Sequence, residues 1–496
     1  MAEYIIGIDQ STQGTKAMLL NKKGRILRRA DKSHKQLIDE NGWVEHDPEE
    51  IYKNTIAVVD QLLRESGIHS EEIKAVGISN QRETALVWNK KTGKPLYNAI
   101  VWQCARGEGI CRRIEEENPD VLKIVKEKTG LPLSPYFSAA KLAWIMENVK
   151  EAKTLAQEGD ICCGTVDSWL VYKLTGGKEF RTDYSNASRT QLFDICNLSW
   201  DKELCKLFGI PLKSLAEVTD SDGFYGMTDF EGLLSCKVPI HGVLGDSHGA
   251  LFGQGCLKSG MMKATYGTGS SIMMNIGETP IFSDLGIVTS LAWKIRGKVQ
   301  YVLEGNINYT GAVVTWMKNQ IGILASATES EVLAKESNAA DHTYLVPAFS
   351  GLGAPYWRSD VTATFTGMSR TTGRAEMVRA GLECIAYQIC DIVQLMIEAS
   401  NIHKIELRVD GGPTKNRWLM QFQSDILNCK VRIPETEELS GIGAAYAAGL
   451  GTEIYEESIF HELHSTSFDA MMDDVQRTKK YQGWRDAVAL VLGRPR

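Results

Sequence analysis

Two strand-turn-strand units constrain the fold of this chain more than any other feature. In the first, apolar residues 4–8 and 17–20 flank the polar turn 9–15. In the second, the mainly apolar runs 261–266 and 272–276 flank a glycine-rich turn. Short runs of β-forming residues around such turns predict β-hairpins. The sequence therefore predicts two halves, each of which opens with a hairpin.

The rest of the pattern predicts strands and helices that pack on these hairpins. Residues 26–27 follow a further turn and extend the first hairpin to three strands. In the segment 375–400, apolar residues recur at steps of four and three, which predicts a helix with a buried face. Residues 405–409 predict a strand that ends at Asp410-Gly411-Gly412 before another helix. Glycines between a strand end and a helix start favour a backbone nest for a phosphate group.

Length and composition indicate a soluble globular protein of more than one domain. The 496 residues exceed one ordinary hydrophobic core, and the second acidic turn divides them into predicted domains 1–253 and 254–496. The formal net charge of -7 includes no block of like charges, so we expect no nucleic-acid partner. The eleven cysteines contain no C-x-x-C pair, and the chain has no secretory leader pattern and no uninterrupted apolar stretch of about 18 residues. We therefore expect a cytoplasmic protein without a membrane partner.

Two aspartates carry the first chemical hypothesis. The motifs G-x-x-x-x-G-K-[ST], G-x-G-x-x-G, H-R-D and D-F-G are absent from the sequence, which argues against a P-loop enzyme or a protein kinase. Instead Asp9 and Asp246 each end an apolar run and precede small or hydroxyl-bearing residues. Such an aspartate is more often a turn or helix cap, but the repeated pattern suits a phosphoryl-transfer cleft.

The order of these motifs resembles the superfamily of sugar kinases, actin and chaperone ATPases. Longer segments resemble the FGGY family of carbohydrate kinases, and most closely its glycerol kinase branch: GWVEHDPEEIY, ISNQRET, GKPLYNAIVWQC, GTVDSWL, TDYSNASRT, LVPAFSGLGAPYW and RVDGGPTKNRWLMQFQSDIL. The resemblance implies an α/β fold of two actin/hexokinase-like (ribonuclease H-like) domains with ATP in the cleft between them. It also implies Mg²⁺ with ATP, a small polyol or sugar as acceptor, and a homo-oligomer, either dimer or tetramer.

By this resemblance, Asp246 is the general base toward the acceptor hydroxyl. Asp9 is expected to hold Mg²⁺ through water. Thr12, Gln13 and Lys16 are expected near the transferred phosphate, where a hydroxyl and a cation would offset negative charge. Glycerol kinases usually read D-Q-G-T-T-S-S-R here, whereas this chain reads D-Q-S-T-Q-G-T-K.

The resemblance also assigns acceptor and nucleotide contacts. Arg82 and Glu83 would bind acceptor hydroxyls, although adjacent charges are ordinarily a surface ion pair. Trp102 and Tyr136 would pack on the acceptor, although such aromatics are by default core residues. The residues expected to bind the nucleotide are Thr268, Gly311, Thr315, Gly412 and Asn416. Thr315 stands where the family commonly has glutamine.

Two departures from the family leave the acceptor open. Glycerol kinases carry glutamine after the catalytic aspartate and an aromatic residue two positions beyond the G-T-G turn, whereas this chain has Ser247 and Ser271. Both changes remove volume, so the alternative acceptors are glycerol and a larger C4 or C5 polyol or ketopentose such as xylulose. His248 would then be a further hydrogen-bond partner with Ser247 and Ser271. A third alternative is a non-catalytic or chaperone-like ATPase of the same superfamily.

Overall fold

The computed structural model describes residues 3–493, so residues 1–2 and 494–496, at the outer ends of the two predicted domains, lie outside the described residues. The strands within the described part follow in chain order. They are β1 Tyr4–Gln10, β2 Gly14–Leu20, β3 Ile26–Ser33, β4 Leu37–Ile38, β5 Val44–His46, β6 Ile73–Asn80, β7 Ala85–Asn89, β8 Ala99–Ile100, β9 Ile161–Thr165, β10 Arg181–Asp183, β11 Phe193–Asp194, β12 Ser199–Trp200, β13 Glu217–Thr219, β14 Phe224–Thr228, β15 Val238–Gly245, β16 Met261–Tyr266, β17 Ser270–Gly277, β18 Val288–Ile295, β19 Lys298–Ile307, β20 Tyr344–Val346, β21 Thr364–Thr366, β22 Glu406–Asp410, β23 Lys430–Pro434 and β24 Ser465–Phe468.

Helices separate and cover these strands. They are α1 Pro48–Ser66, α2 Glu108–Glu117, α3 Val121–Thr129, α4 Ser138–Asn148, α5 Lys150–Glu158, α6 Val166–Leu174, α7 Tyr184–Ala187, α8 Lys202–Leu207, α9 Asp246–Gly253, α10 Gly311–Asn319, α11 Glu329–Glu336, α12 Arg374–Ser400, α13 Arg417–Leu427, α14 Leu439–Gly451 and α15 Asp474–Leu492. Short 3-10 turns span Ser70–Glu72, Leu212–Ser214, Gly412–Lys415 and Glu457–Glu462.

Two mixed sheets repeat one arrangement. The first has the order β14-β15-β6-β1-β2-β3, and the second has the order β18-β19-β17-β16-β22-β23-β24. In each, a hairpin (β1 with β2, or β16 with β17) continues on one side into antiparallel strands and on the other into two parallel strands. Both predicted hairpins are confirmed, as is the three-stranded meander at the start of the chain.

The long helix α12 lies in the hydrophobic core beneath the second sheet. It packs against β17 and β19 of that sheet, and its apolar side chains belong to the same buried cluster, which confirms the buried helix predicted over 375–400. The helix is long and apolar enough to cross a membrane, but 78% of its most apolar window is buried within the protein. It is therefore accounted for as a core helix.

Helix α14 connects the two predicted domains through very close backbone contacts. It lies in the predicted range 254–496, yet it packs on strands β1, β6 and β15 of the first sheet and on α9. Glycines permit the approach: a Cβ on Gly77 would overlap the carbonyl group of Ala444, and a Cβ on Gly443 would overlap the carbonyl oxygen of Gly249. The first sheet is therefore completed by a late segment of the chain. The predicted domain division stays a prediction.

This contact predicts an unusual effect of a helical Gly→Ala substitution. Alanine in a helix interior ordinarily stabilises by about 1 kcal/mol relative to glycine. We expect Gly443→Ala to lower the free energy of unfolding by about 1 to 3 kcal/mol instead, because overpacking moves α14 away from α9. The matched control is Gly109→Ala in α2, where the added Cβ meets open space. Urea unfolding curves give the free energy of unfolding of both variants. An equal change in that free energy for the two variants would contradict the close-contact explanation.

Candidate active site

A cleft of about 690 Å³ gathers residues from both sheets. Apart from His248, it brings together every residue that the sequence predicts for acceptor binding, and also the predicted metal and phosphate residues Asp9 and Thr12. The predicted acceptor residues in its lining are Arg82, Glu83, Trp102, Tyr136, Asp246, Ser247 and Ser271. Segments far apart in the sequence therefore meet at one site.

Parallel strands explain why the acidic and basic residues meet. Strands β1, β6 and β15 run parallel, so their carboxyl ends lie at the same edge of the first sheet. Asp9 lies near the end of β1, Arg82 and Glu83 follow β6, and Asp246 follows β15. Glu83 has a left-handed backbone (φ 59°), an unusual conformation for a non-glycine residue. This bend lets two adjacent side chains face one cleft.

Arg82 is the centre of a buried ionic network. Its Nε donates to Asp246 Oδ1 at 3.2 Å, and its two terminal nitrogens donate to the carboxylate of Glu304 at 3.0 and 3.3 Å. Both Arg82 and Glu304 are almost completely buried. Burial alone raises the pKa of Glu304, but Arg189 and Arg82 outweigh it and hold that pKa well below its ordinary value. The guanidinium group of Arg82 therefore holds Asp246, the predicted base, in place, and Glu304 balances its charge.

A second arginine completes this network. Arg189 Nε donates to Glu83 Oε1 at 2.5 Å, and Arg189 Nη1 lies 3.2 Å from Glu304 Oε2. Sequence reasoning missed both Arg189 and Glu304. Arg189 lies within the segment TDYSNASRT that resembles the family, but a lone arginine there carries no motif of its own. Glu304 lies in the apolar strand β19, where only its burial reveals its part in the site.

The aromatic side of the cleft is also held in place. The rings of Trp102 and Tyr136 meet edge to face with centroids 5.6 Å apart, and Trp102 Nε1 donates to Thr12 Oγ1 at 2.9 Å. The buried Lys141 Nζ donates to the carbonyl oxygens of Pro135 (2.7 Å), Phe137 (3.0 Å) and Tyr136 itself. Sequence reasoning also missed Lys141, which secures the loop that carries Tyr136.

A second cavity of about 380 Å³ gathers four of the five predicted nucleotide residues: Gly311, Thr315, Gly412 and Asn416. The turn Gly267-Thr268-Gly269 connects it with the cleft, since Gly267 and Gly269 line the cleft while the carbonyl of Gly267 accepts from the amide of Gly311 at 2.9 Å. A Cβ on Gly311 would lie 2.7 Å from that carbonyl oxygen. Glycine at 311 therefore allows the two turns to meet.

Comparison with known proteins decides the family. The chain matches the FGGY family of carbohydrate kinases in two regions. Residues 4–253 match the N-terminal domain of the family, and residues 262–452 match its C-terminal domain. The chain belongs to the FGGY family of carbohydrate kinases.

Relatives can be aligned with this FGGY chain over nearly its full length. It is 48% identical to glycerol kinase 1 of Thermotoga maritima over 99% of both chains. It is 44% identical to a glycerol kinase of Oceanobacillus iheyensis over 98% of this chain and 97% of the relative. The crystal structure of Plasmodium falciparum glycerol kinase with ADP matches with a TM-score of 0.93 at 35% identity, covering 99% of each chain. The predicted family, the actin/hexokinase-like fold and the ATP-dependent kinase class are confirmed.

A few residues predicted for this FGGY site lie outside the linings of both cavities. Gln13 and Thr268 are exposed. Lys16 Nζ pairs with Glu438 Oε2 at 2.8 Å. His248 is fully buried, and its Nε2 lies 3.3 Å from Ser290 Oγ. The nucleotide roles of Gln13, Lys16 and Thr268 stay predictions, whereas His248 in this position faces the core and not an acceptor.

Two carboxylates in the FGGY cleft, the buried Asp9 and the partly buried Asp410, have raised pKa values. Burial first, and then the charge of Asp246, raise the pKa of Asp9 to about 7, although Ser79 Oγ donates to its Oδ1 at 3.1 Å. Burial also raises the pKa of Asp410, which accepts from Gln254 Nε2 at 2.5 Å. The free cleft therefore holds more negative charge than its surroundings stabilise, which favours a bound cation.

The raised pKa of Asp9 predicts a pH-dependent stability effect. A carboxyl whose folded pKa exceeds its ordinary 3.8 loses stability as pH rises from about 4 to about 7. We expect Asp9→Asn to raise the free energy of unfolding at pH 8 by about 2 to 4 kcal/mol, and by less at pH 5.

Urea unfolding at both pH values measures this difference. Asp120→Asn is the matched control, because Asp120 is exposed and makes no capping hydrogen bond. An equal increase in the free energy of unfolding at pH 5 and at pH 8 would contradict the assignment of the destabilisation to ionised Asp9.

Proposed function

We propose that this kinase transfers the γ-phosphoryl group of ATP to a hydroxyl of a small polyol, in the manner of a glycerol kinase. The observation that carries the proposal is the position of Asp246, at the start of α9, held by Arg82 inside a cleft that continues toward the second cavity. Relatives named glycerol kinase, 43–48% identical over nearly the whole chain, support the acceptor class.

Asp246 accepts the proton in the proposed reaction. Arg82 Nε and the amide of Ser247 both donate to Oδ1, at 3.2 and 2.6 Å, which leaves Oδ2 for the acceptor hydroxyl. The acceptor oxygen forms a bond to the γ-phosphorus while the bond from that phosphorus to the bridging oxygen of ADP breaks. The hydroxyl proton passes to Asp246 as this charge moves. The products are the phosphorylated polyol and ADP.

The acceptor is held by the charged and aromatic walls. Arg82 donates to a hydroxyl, Glu83 accepts from one, and both are fixed in advance by Glu304 and Arg189. Trp102 and Tyr136 cover the carbon chain and exclude water. Exclusion of water matters because water at the acceptor position would be phosphorylated instead, which is hydrolysis of ATP.

ATP extends from the cleft into the second cavity. Gly311, Thr315, Gly412 and Asn416 surround the base and ribose, and Thr268 lies on the glycine turn beside the phosphates. Thr12, Gln13 and Lys16 bind the phosphates from the opposite hairpin, which requires Lys16 to exchange Glu438 for a phosphate oxygen. The ADP of the P. falciparum structure supports a nucleotide in this fold.

The cleft fits Mg²⁺ carried with ATP. Asp9 is buried near Asp246, and within residues 3–493 no group of three His, Cys, Asp or Glu side chains is arranged to hold a metal by itself. Phosphate oxygens and water would therefore supply most ligands, as is usual for Mg²⁺. When bound, the ion neutralises charge on the phosphoryl oxygens. A cytoplasmic location and a homo-oligomer complete the proposal, and the free state of all eleven cysteines supports the former.

Dependence on the acceptor tests the proposal. We expect purified protein with Mg-ATP to release little ADP alone and much more when glycerol or a longer polyol is added, because the walls that exclude water close around the acceptor. A coupled ADP assay measures the rate with and without each polyol. Equal release in all cases would favour the ATPase alternative over the kinase.

Asp246→Asn tests the base. Asparagine keeps the size of the side chain and can still accept from Arg82, but it does not take up the proton. We expect kcat to fall by about 10² to 10⁴-fold. Nucleotide affinity, measured by calorimetry, should persist because the second cavity is untouched. A variant with near-normal kcat would remove Asp246 from the mechanism.

A further inference from the structure

One wall of the cleft carries polar groups that the proposed mechanism leaves unused. Strands β17 and β19 are antiparallel, and Ser271 lies directly opposite Asn306 in their register. Both residues line the cleft. Opposed residues of an antiparallel pair project from the same face of the sheet. Their side chains therefore form one polar pair on this wall.

Within residues 3–493, no side chain or backbone group bonds to the side chains of this pair. Ser271 Oγ is buried and has no hydrogen-bond partner among the described residues. The adjacent Ser270 differs, since its Oγ lies 2.7 Å from Thr310 Oγ1. Asn306 is exposed to the cleft. A buried hydroxyl without a partner is unfavourable, so a ligand group that bonds to it would remove that cost.

The pair lies beyond the groups that bind the first hydroxyls. Asn306 follows Glu304 by two residues on β19, so both side chains project from the same face, roughly 7 Å apart along the strand. Glu304 holds Arg82, whose charge is already balanced. A longer chain bound at Arg82 can therefore carry its next hydroxyls toward Asn306 and Ser271.

The chemistry of the pair indicates what it binds. A serine hydroxyl and an asparagine amide each donate and accept, which suits neutral hydroxyl groups. The charge of Arg82 is balanced by Glu304 and Asp246, although two of its five N–H groups remain for an acceptor hydroxyl. Lys263, the other cation in the cleft lining, already donates to Thr265 Oγ1 at 2.8 Å. An anionic group would have to draw one of these cations from its present partner, whereas a neutral hydroxyl bonds to Ser271 and Asn306 directly.

We propose that Ser271 and Asn306 form a specificity subsite for the hydroxyls of the fourth and fifth carbons of an acyclic polyol. The inference rests on the proposed function and deepens it by naming the acceptor: a C4 or C5 polyol is used at least as well as glycerol. The pair binds and selects the acceptor and takes no part in proton transfer.

Steady-state kinetics with glycerol, erythritol, ribitol, xylitol and xylulose tests the subsite. Ser271→Phe fills the space, and Asn306→Leu removes the amide at similar volume. We expect each to lower the ratio of kcat/KM for the best longer polyol to that for glycerol by about tenfold or more. Asn319→Leu, at the exposed end of α10, is the matched control and should leave the ratio unchanged. Melting temperature and ATP affinity confirm that each variant is folded.

The outcomes separate this inference from the proposed function. The subsite is supported if the wild type prefers erythritol, ribitol or xylitol to glycerol and if both variants lower the ratio of kcat/KM for the longer polyol to that for glycerol. A wild-type kcat/KM that is higher for glycerol than for every longer acceptor overturns the subsite and leaves the proposed function standing. An unchanged ratio in both variants, or a preference for xylulose over the polyols, also overturns it. The absence of any acceptor-dependent ADP release overturns the proposed function itself.

Discussion

The ion pair between Arg82 and Glu304 is the contact on which the site depends. It joins the loop after β6 in the first sheet to β19 in the second, across 222 positions of sequence. Neither charge can be removed alone without leaving the other buried and unbalanced, which is strongly unfavourable. The formal charges of Arg82 and Arg189 balance those of Glu83 and Glu304. Asp246, also bound to Arg82, carries the one charge left over, which is the charge a proton acceptor requires.

The same cleft shows how a kinase site opposes the stability of its own fold. Asp9 is buried beside a second carboxylate, and Lys16 and Arg29 both pair with Glu438 at its edge. A protein selected for stability alone would not place like charges together in a buried position. The arrangement becomes favourable when phosphates and a cation redistribute the charge. Binding of ATP and stabilisation of the cleft are therefore linked.

Sequence patterns predicted the parts of the fold that local chemistry determines. The two hairpins and α12 follow from periodicity and turns, and the acceptor residues follow from family resemblance. Glu304 and Lys141 were not predictable in this way, because a lone charge in a strand or helix is ordinarily solvated. Their burial becomes visible only when distant segments pack. Likewise the sequence places Lys16 on a hairpin but does not reveal its pairing with Glu438, which lies 422 positions away.

Helix α14 has a consequence for how the chain is made. The face of the first sheet that it covers is built from residues before 246, yet the helix spans residues 439–451. While the ribosome is still synthesising the second half, that apolar surface has no native cover. Contacts between segments so far apart in the sequence slow folding. They also leave apolar surface exposed to other nascent chains. The first sheet therefore gains its native cover only after residues 439–451 have left the ribosome.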